Sequence, residues 1–327
     1  MLIFGIETSC DETACAIVKD GREVISNVVA SQIKTHQAFG GVVPEVAARE
    51  HLDAINVVIE ETFAMAGIKP QEIDAFASTA GPGLVGCLLV GLNAAKTLSL
   101  AYDKPYIPVN HLNAHVCANF IDTNLEPPFT CLLVSGGHTQ VINVSGYGQC
   151  EIAASTIDDA TGEVYDKVAR LLGLPYPGGI QLDKLAQTGN KTAFKLPDAK
   201  VGEDEFSFSG LKTAVLRLVQ GFKDGEIPVA DVCASFQERI TTTLIEKTVK
   251  IAKKNGSKTI VLAGGVAANS RLREKLYELE KPENGAFSVF APKMKYCTDN
   301  AAMVASAAFF NPMKVENPLE LEVFSRG

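Results

Sequence analysis

The chain has five histidines, and two of them, His111 and His115, stand four apart in the run His111-Leu112-Asn113-Ala114-His115. On a helix that spacing sets both imidazoles on one face, as metal ligands need. Pro108 and Asn110 precede the pair in the manner of a helix start. The positive end of such a helix disfavours protonation and keeps the rings neutral and able to ligate. Leu112 occupies the place where HExxH enzymes carry their general base, which speaks against a helix-borne metalloprotease. Two histidines need a third ligand. Asp299, in Cys297-Thr298-Asp299-Asn300-Ala301, would complete a two-histidine, one-carboxylate set suited to Fe(II) or Zn(II). Taken alone, Asp299 reads first as the N-cap of the last helix.

Three further stretches could carry chemistry. Glu7-Thr8-Ser9-Cys10-Asp11-Glu12-Thr13 crowds three carboxylates into one turn. Carboxylates repel phosphate, so they would bind metal or water, or move protons; a solvated acidic hairpin is the plainer reading. Leu133-Val134-Ser135-Gly136-Gly137-His138-Thr139 follows an apolar run with two glycines and two hydroxyls, which let backbone N–H groups approach a phosphate. No Gly-Lys-Ser/Thr follows, so it is not a P-loop. Ala263-Gly264-Gly265-Val266-Ala267-Ala268-Asn269 ends a strand in Gly-Gly and opens a helix, a place where a nucleotide can lie against backbone. Tight strand–helix packing would use the same residues.

The elements that must hold these residues repeat. Residues 2–29 read as three strands, with polar and Asp20-Gly21 turns between them, and residues 130–154 read the same way. Each triplet leads to an amphipathic helix, one from Pro44 to about Met65 and one in which Val232, Phe236, Ile240 and Leu244 step by four. Each then continues into a strand, a Gly-rich turn and a helix. Thr8 and Ser135 are 127 residues apart but Ala80 and Ala263 are 183 apart, so the second half carries about 56 extra residues. These fall between Thr156 and Asp231, and long insertions tend to build substrate sites. The expected fold is therefore α/β: two tandem βββαβα domains with a cleft between them. The first covers residues 1–128, completed by a C-terminal helix at about 299–327. The second covers 129–298, with an insertion at about 157–230.

Composition bounds the rest. Lys and Arg number 30 against 38 Asp and Glu, a net charge of −8, and hydrophobic residues make up 46%, as in a folded globular chain. The whole deficit lies in residues 1–130, which hold 7 basic and 15 acidic residues, while residues 131–327 hold 23 of each. Net acidity argues against a protein that coats nucleic acid through bulk charge, yet the neutral half carries Lys184, Lys191, Lys195, Lys200, Lys212 and Arg217 in or beside the insertion, where any nucleic-acid phosphate contacts would fall. The helix from Pro44 in the acidic half is the better surface for a protein partner. Residues 75–95 are uncharged, but Gly81, Pro82, Gly83, Gly86 and Gly91 mark a strand, a turn and a helix rather than a membrane span. No secretory leader is read, and eight cysteines without a CxxC pair suit the cytoplasm.

The duplicated layout resembles the actin-like (ASKHA, RNase H-like) ATPase superfamily, which implies a nucleotide site. Seven motifs then sharpen the resemblance, in order along nearly the whole chain: ETSCDET at its start, HLNAH, LVSGGHT, VYDKVAR, PGG, AGGVAAN and CTDNAAM. The sequence closely resembles the tRNA N6-adenosine threonylcarbamoyltransferase family, TsaD in bacteria and formerly labelled a glycoprotease. That resemblance implies transfer of a threonylcarbamoyl group from threonylcarbamoyl-adenylate to N6 of the adenosine 3′ of the anticodon, in tRNAs reading ANN codons. It implies one divalent metal on His111, His115 and Asp299. Leu133, Val134, Ser135, Gly136, Gly137, Asp166, Gly179, Asp183 and Asn269 would hold the adenylate, and Asp11 and Glu12 would lie near the acceptor amine. A TsaB-like paralogous subunit and a TsaE-like small ATPase are the implied partners. An actin-like phosphotransferase acting on a small molecule is the rival reading, and it leaves the histidine pair unexplained. A nucleotide-switched chaperone or scaffold is a second rival, and no peptide-binding domain is read after residue 300.

Overall fold

The computed structural model describes residues 1–198, 201–202, 205–223 and 226–326. The chain forms two compact units, one of residues 1–126, 147–149 and 292–327, the other of residues 127–146 and 150–291.

The first unit opens with β1 (Leu2–Glu7), β2 (Glu12–Lys19) and β3 (Glu23–Ser31), an antiparallel meander. Asp20 and Gly21 join β2 to β3 with φ of 50° and 67°, the backbone that a two-residue hairpin turn requires and that glycine adopts freely. The short helix α1 (Ile33–Gln37) and the long α2 (Pro44–Ala66) follow, then β4 (Ala75–Gly81), α3 (Val85–Tyr102), β5 (Tyr106–Asn110) and α4 (His111–Cys117). The strands lie in the order β3-β2-β1-β4-β5, with β4 and β5 parallel to β1. Alternation along β1 sends Phe4 and Ile6 into a core with Cys15, Ile17, Ile55, Val58, Phe76 and Ala95. Phe4 stacks on Phe63 of α2 at 4.7 Å. Helix α3 is long and apolar enough to cross a membrane by length and composition. Here it packs on β4 and α2, which is the place of a core helix.

In the second unit β6 (Phe129–Val134), β7 (Thr139–Gly146) and β8 (Gln149–Thr156) repeat the meander. Then come α5 (Thr161–Leu171), α6 (Gly178–Ala186), β9 (Glu205–Phe206), α7 (Ser209–Gln220), α8 (Val229–Lys254), β10 (Thr259–Ala263), α9 (Ser270–Glu278) and β11 (Ser288–Phe290). Among the described residues the sheet order is β11-β10-β6-β7-β8-β9. Val232, Phe236, Ile240 and Leu244 of α8 are all buried, as their four-residue step requires.

The chain then returns to the first unit with α10 (Ala301–Phe310), which packs against β1, β2 and α4. The helix ends well short of the 299–327 expected from sequence, because Asn311 leads into Pro312, which disfavours helical geometry before it. None of the eight cysteines is in a disulfide.

Candidate functional site: a His–His–Asp cluster beside an acidic turn

The cluster is built by helix starts. Asn110 caps α4, its Oδ1 accepting from the backbone N–H of Leu112 at 2.9 Å and Asn113 at 3.2 Å. This fixes the first turn and sets the rings of His111 and His115 edge to face, 4.7 Å apart. The cap of α10 is Asn300, which accepts from Met303 N–H at 3.1 Å. Asp299 is thereby released from the capping role open to it in sequence. Its Oδ1 lies 3.1 Å from His115 Nε2 and 3.7 Å from His111 Nε2. Helix α10 is tied to α4 by Ser306 Oγ donating to the Cys117 carbonyl at 3.1 Å. One donor atom from each of His111, His115 and Asp299 lies within 4.8 Å of the others, a spacing that one ion could bridge.

Two residues not singled out as His111's partners complete its surroundings. Ser9 Oγ is 3.1 Å and Glu7 Oε2 is 3.4 Å from His111 Nδ1, so both orient the ring from behind while Nε2 faces Asp299. Glu7 is fully buried and accepts from Thr79 Oγ1 at 2.5 Å and from Ser9 N–H at 2.6 Å. The signal in sequence was the acidic turn itself, but a pairing across 104 residues has no local spacing to announce it. His115 Nδ1 is buried and finds no partner among the described residues.

The charges in this pocket act on one another. Burial alone would push the Asp299 carboxyl up, but His111 and His115 outweigh it and hold it at about 2. Burial would likewise lower His111, but Asp299 and Glu7 raise it to about 9. The sequence reading had the helix N-terminus keep both rings neutral; at His111 the two carboxylates override the dipole. Glu7 is held below its ordinary range, the His111 charge and hydrogen bond overcoming its burial. Glu12 goes the other way, to about 9, through burial and then the negative charges of Asp299 and Asp11. Its carboxyl accepts from Ser31 Oγ at 3.2 Å. Asp11 and Glu12 sit half-buried on the turn between β1 and β2.

The remaining expected residues gather in the second unit. The side chains of Leu133 and Val134 are buried in β6, so they fix the turn that follows. Ser135 closes that turn: its N–H donates to the His138 carbonyl at 2.8 Å and its Oγ accepts from His138 N–H at 3.1 Å. Its carbonyl accepts from Gly162 N–H at the start of α5, 3.1 Å away. The strand β10 runs parallel beside β6, with Ala263 opposite Leu133, so both Gly-rich turns leave the same end of the sheet. A Cβ at Gly136, Gly137 or Gly265 would meet nothing within 4 Å. No internal packing demands glycine there, and the space is left for something else.

Asp166 Oδ1 accepts from Gly179 N–H at 3.1 Å. Asp183 is engaged by the chain itself, accepting from Ser270 Oγ at 2.7 Å, Ser270 N–H at 3.2 Å and Gln237 Nε2 at 2.8 Å. Asn269 caps α9 through Leu272 N–H at 2.9 Å and donates to Gln237 Oε1 at 2.9 Å. Gln237, absent from the sequence reading, is thus the link between Asp183 and Asn269. A cavity of about 270 Å³ opens beside them, lined by Gln187, Lys191, Gln237, Ser270 and Arg271 among others. Of the basic residues assigned to RNA, Lys184, Lys191, Lys195 and Arg217 are exposed. Lys212 is paired with Asp159 at 2.6 Å, and Lys200 lies outside the described residues.

Two α/β units, each built on a three-stranded meander followed by parallel strands and helices, define the actin-like, RNase H-like class. HypF from T. kodakarensis superposes over 94% of this chain and 47% of its own with a TM-score of 0.65 at 17% identity. The activator of 2-hydroxyisocaproyl-CoA dehydratase from Clostridium difficile does so over 94% of both chains with a TM-score of 0.54 at 15% identity. At such identities the likeness concerns the fold alone. Sequence is more specific. The tRNA N6-adenosine threonylcarbamoyltransferase family matches residues 23–306. Members from Clostridium perfringens and Caldicellulosiruptor bescii are 53% and 50% identical, each over 96% of this chain and 93% and 94% of their own. One from Gloeothece citriformis is 51% identical over 99% of this chain and 96% of its own. The chain belongs to the tRNA N6-adenosine threonylcarbamoyltransferase family.

Proposed function

We propose that this chain transfers a threonylcarbamoyl group from threonylcarbamoyl-adenylate to N6 of the adenosine 3′ of the anticodon, in tRNAs reading ANN codons. The observation that carries the reading is the buried His111–His115–Asp299 cluster with the acidic turn against it. Two imidazoles and a carboxylate, with His111 Nδ1 already held by Ser9 and Glu7, fit Fe(II) or Zn(II). Such an ion, bound there, would polarise the carbonyl or phosphate of the donor.

The chain's own groups do the rest. An exocyclic adenine amine is a weak nucleophile: as N6 bonds to the carbamoyl carbon, that carbon's bond to the phosphate oxygen breaks, AMP leaves, and the amine loses a proton. Asp11 or Glu12 accepts it. The charge of Asp299 is one cause of the raised Glu12 pKa, so a cation held by His111, His115 and Asp299 would lower it and leave Glu12 able to accept that proton. Leu133, Val134, Ser135, Gly136 and Gly137 form the turn that receives the adenylate, the open glycines letting its phosphate approach the backbone. Gly179, Asp166, Asp183 and Asn269 frame the nucleoside, the two carboxylates toward ribose hydroxyls. The exposed lysines of the insertion meet the tRNA. Helix α2, which leaves Leu52, Val57 and Met65 exposed, receives a TsaB-like subunit, and a TsaE-like ATPase completes the system. The reaction belongs in the cytoplasm, where free thiols stay reduced.

The test is transfer of labelled threonine onto unmodified tRNA, supplied as the adenylate or as threonine, bicarbonate and ATP with the partner enzymes. Label on N6 of that adenosine is the expected result. Absence of label under every condition overturns the reading.

A further inference from the structure

The backbone of the acidic turn is pinned from outside. The Ser9 carbonyl accepts from Leu84 N–H at 2.9 Å and the Asp11 carbonyl from Gln32 N–H at 2.9 Å. Between them the Cys10 carbonyl lies 3.0 Å from His51 Nε2. Of these three pins, only the middle one is a side chain. Its other ring nitrogen, Nδ1, lies 2.7 Å from Thr13 Oγ1 on the far side of the turn. A carbonyl can only accept, so Nε2 carries the hydrogen and Nδ1 accepts from the Thr13 hydroxyl. One imidazole thus grips the turn at both ends.

The position of His51 in the fold is as telling as its bonds. The buried stripe of α2 runs Ala47, His51, Ile55, Val58 and Thr62, so His51 takes a core place where an aliphatic side chain would pack without penalty. It is fully buried. An imidazole there costs desolvation that only its two hydrogen bonds offset. Burial also lowers its pKa, against the pull of the Cys10 carbonyl and the Glu7 and Asp11 charges, so the ring stays neutral and keeps this tautomer.

We propose that His51 is the positioning residue of the acidic turn, holding the Cys10 peptide so that Asp11 and Glu12 present their carboxyl groups to the acceptor amine. The proposal rests on the reading of those two carboxyls as the groups that handle the amine's proton. His51 touches neither substrate nor the His111–His115–Asp299 cluster; it acts through the turn, from α2.

The experiment is single-turnover transfer of labelled threonylcarbamoyl to unmodified tRNA by the full-length, metal-loaded chain with its partners. His51→Ala slows the transfer step roughly 10- to 100-fold, the scale of a sub-ångström to ångström misplacement of a reacting group. KM for donor and tRNA changes by less than about threefold, since the loss falls on the chemical step. His51→Gln regains most of the rate, because its amide N–H reaches the Cys10 carbonyl, and Thr13→Val loses less than His51→Ala. On an Asp11→Ala/Glu12→Ala background His51→Ala costs no further rate within about twofold, as expected when one residue acts through the other two. A wild-type rate for His51→Ala, or a further loss from it on the background lacking both carboxyls, overturns the proposal. So does a folded His51→Gln as slow as the alanine variant. Should His51→Ala not fold by circular dichroism, His51→Gln and Thr13→Val decide: both must fold, with Thr13→Val slowed and His51→Gln near normal. Asp11→Ala and Glu12→Ala separate the two levels. If both transfer normally, the reading of the turn fails; if they lose transfer while His51→Ala keeps it, only the role of His51 fails.

Discussion

A pair of carboxyls on one turn can be told apart by substitution. Asp11→Ala or Glu12→Ala should slow transfer by roughly 10²- to 10⁴-fold, the contribution of a positioned general base, with donor and tRNA binding unchanged. Normal transfer by both, measured alongside normal binding, would remove them from the chemistry. Glu7 acts one step further back. Glu7→Gln keeps the shape but gives up the charge that holds His111. Zn(II) added to the chain should then be retained roughly 10- to 100-fold less well in a chelator competition, the effect expected of a partner behind a ligating histidine. Retention equal to wild type would show that Ser9 alone orients the ring. Part of this site was legible before the fold was known. The i,i+4 histidines are a helical spacing, and spacing survives in sequence. Asp299 could be offered only as a candidate third ligand, since a residue before an apolar helix looks first like a cap, and Asn300 in fact takes that role. Glu7 against His111 and His51 against Cys10 join residues 104 and 41 apart, and nothing local encodes such pairs.

At the level of elements, two joints can be broken selectively. The Thr8 hydroxyl enters α3, donating to the Cys87 carbonyl at 2.8 Å and accepting from Gly91 N–H at 3.1 Å, the two groups that would otherwise bond to each other. Glycine is required at 91 by that approach, for a Cβ would stand 2.5 Å from Thr8 Oγ1. Gly91→Ala should therefore cost about 1–3 kcal/mol in chemical denaturation, as overpacking does, and a neutral result would mean that α3 shifts freely. The second joint is Glu238 of α8, which accepts from Arg271 at 2.7 Å and Lys275 at 2.8 Å, both on α9. Burial raises its pKa but those hydrogen bonds outweigh it, bringing it from 4.5 to about 2. A carboxyl with a lowered folded pKa stabilises above its unfolded value and loses that stabilisation as pH falls toward the folded one. Glu238→Gln should thus cost about 1 kcal/mol near neutral pH, modest because the pair is half-exposed, with the gap from wild type closing as pH falls below 4.5. A gap that stays constant down to the acid transition would assign the effect to packing instead. The βββ repeats and the strand–turn–helix units were readable because alternation and Gly turns are local signals. The two-residue β9, the Thr8 insertion and the early end of α10 depend on tertiary contacts or on one proline, and the sequence pattern passes over them.

Over the whole chain, charge is the property that bears on an RNA substrate. A net charge of −8 would repel a polyanion were it evenly spread, but the deficit lies in residues 1–130. Residues 131–327 are neutral with 23 basic side chains, so local phosphate contacts there face no net repulsion from their own part of the chain. Not every one of those cations is available. Lys212 is spent on Asp159 and Arg271 on Glu238 and Glu274, whereas Lys191 and Lys195 are exposed. Affinity for tRNA should accordingly be moderate and strongly salt-dependent, each true phosphate contact adding about one unit to the slope of log K against log salt. Lys191→Glu/Lys195→Glu should weaken tRNA binding roughly 10- to 100-fold at moderate salt and reduce that slope by about two, alike for every tRNA tested. Reversal at Lys69, exposed in the acidic stretch, should change neither quantity. Filter binding across a salt series reads both. Intact binding in the double reversal, or an equal loss on reversing Lys69, would move the RNA footprint away from the insertion and leave the charge asymmetry without a role in substrate capture.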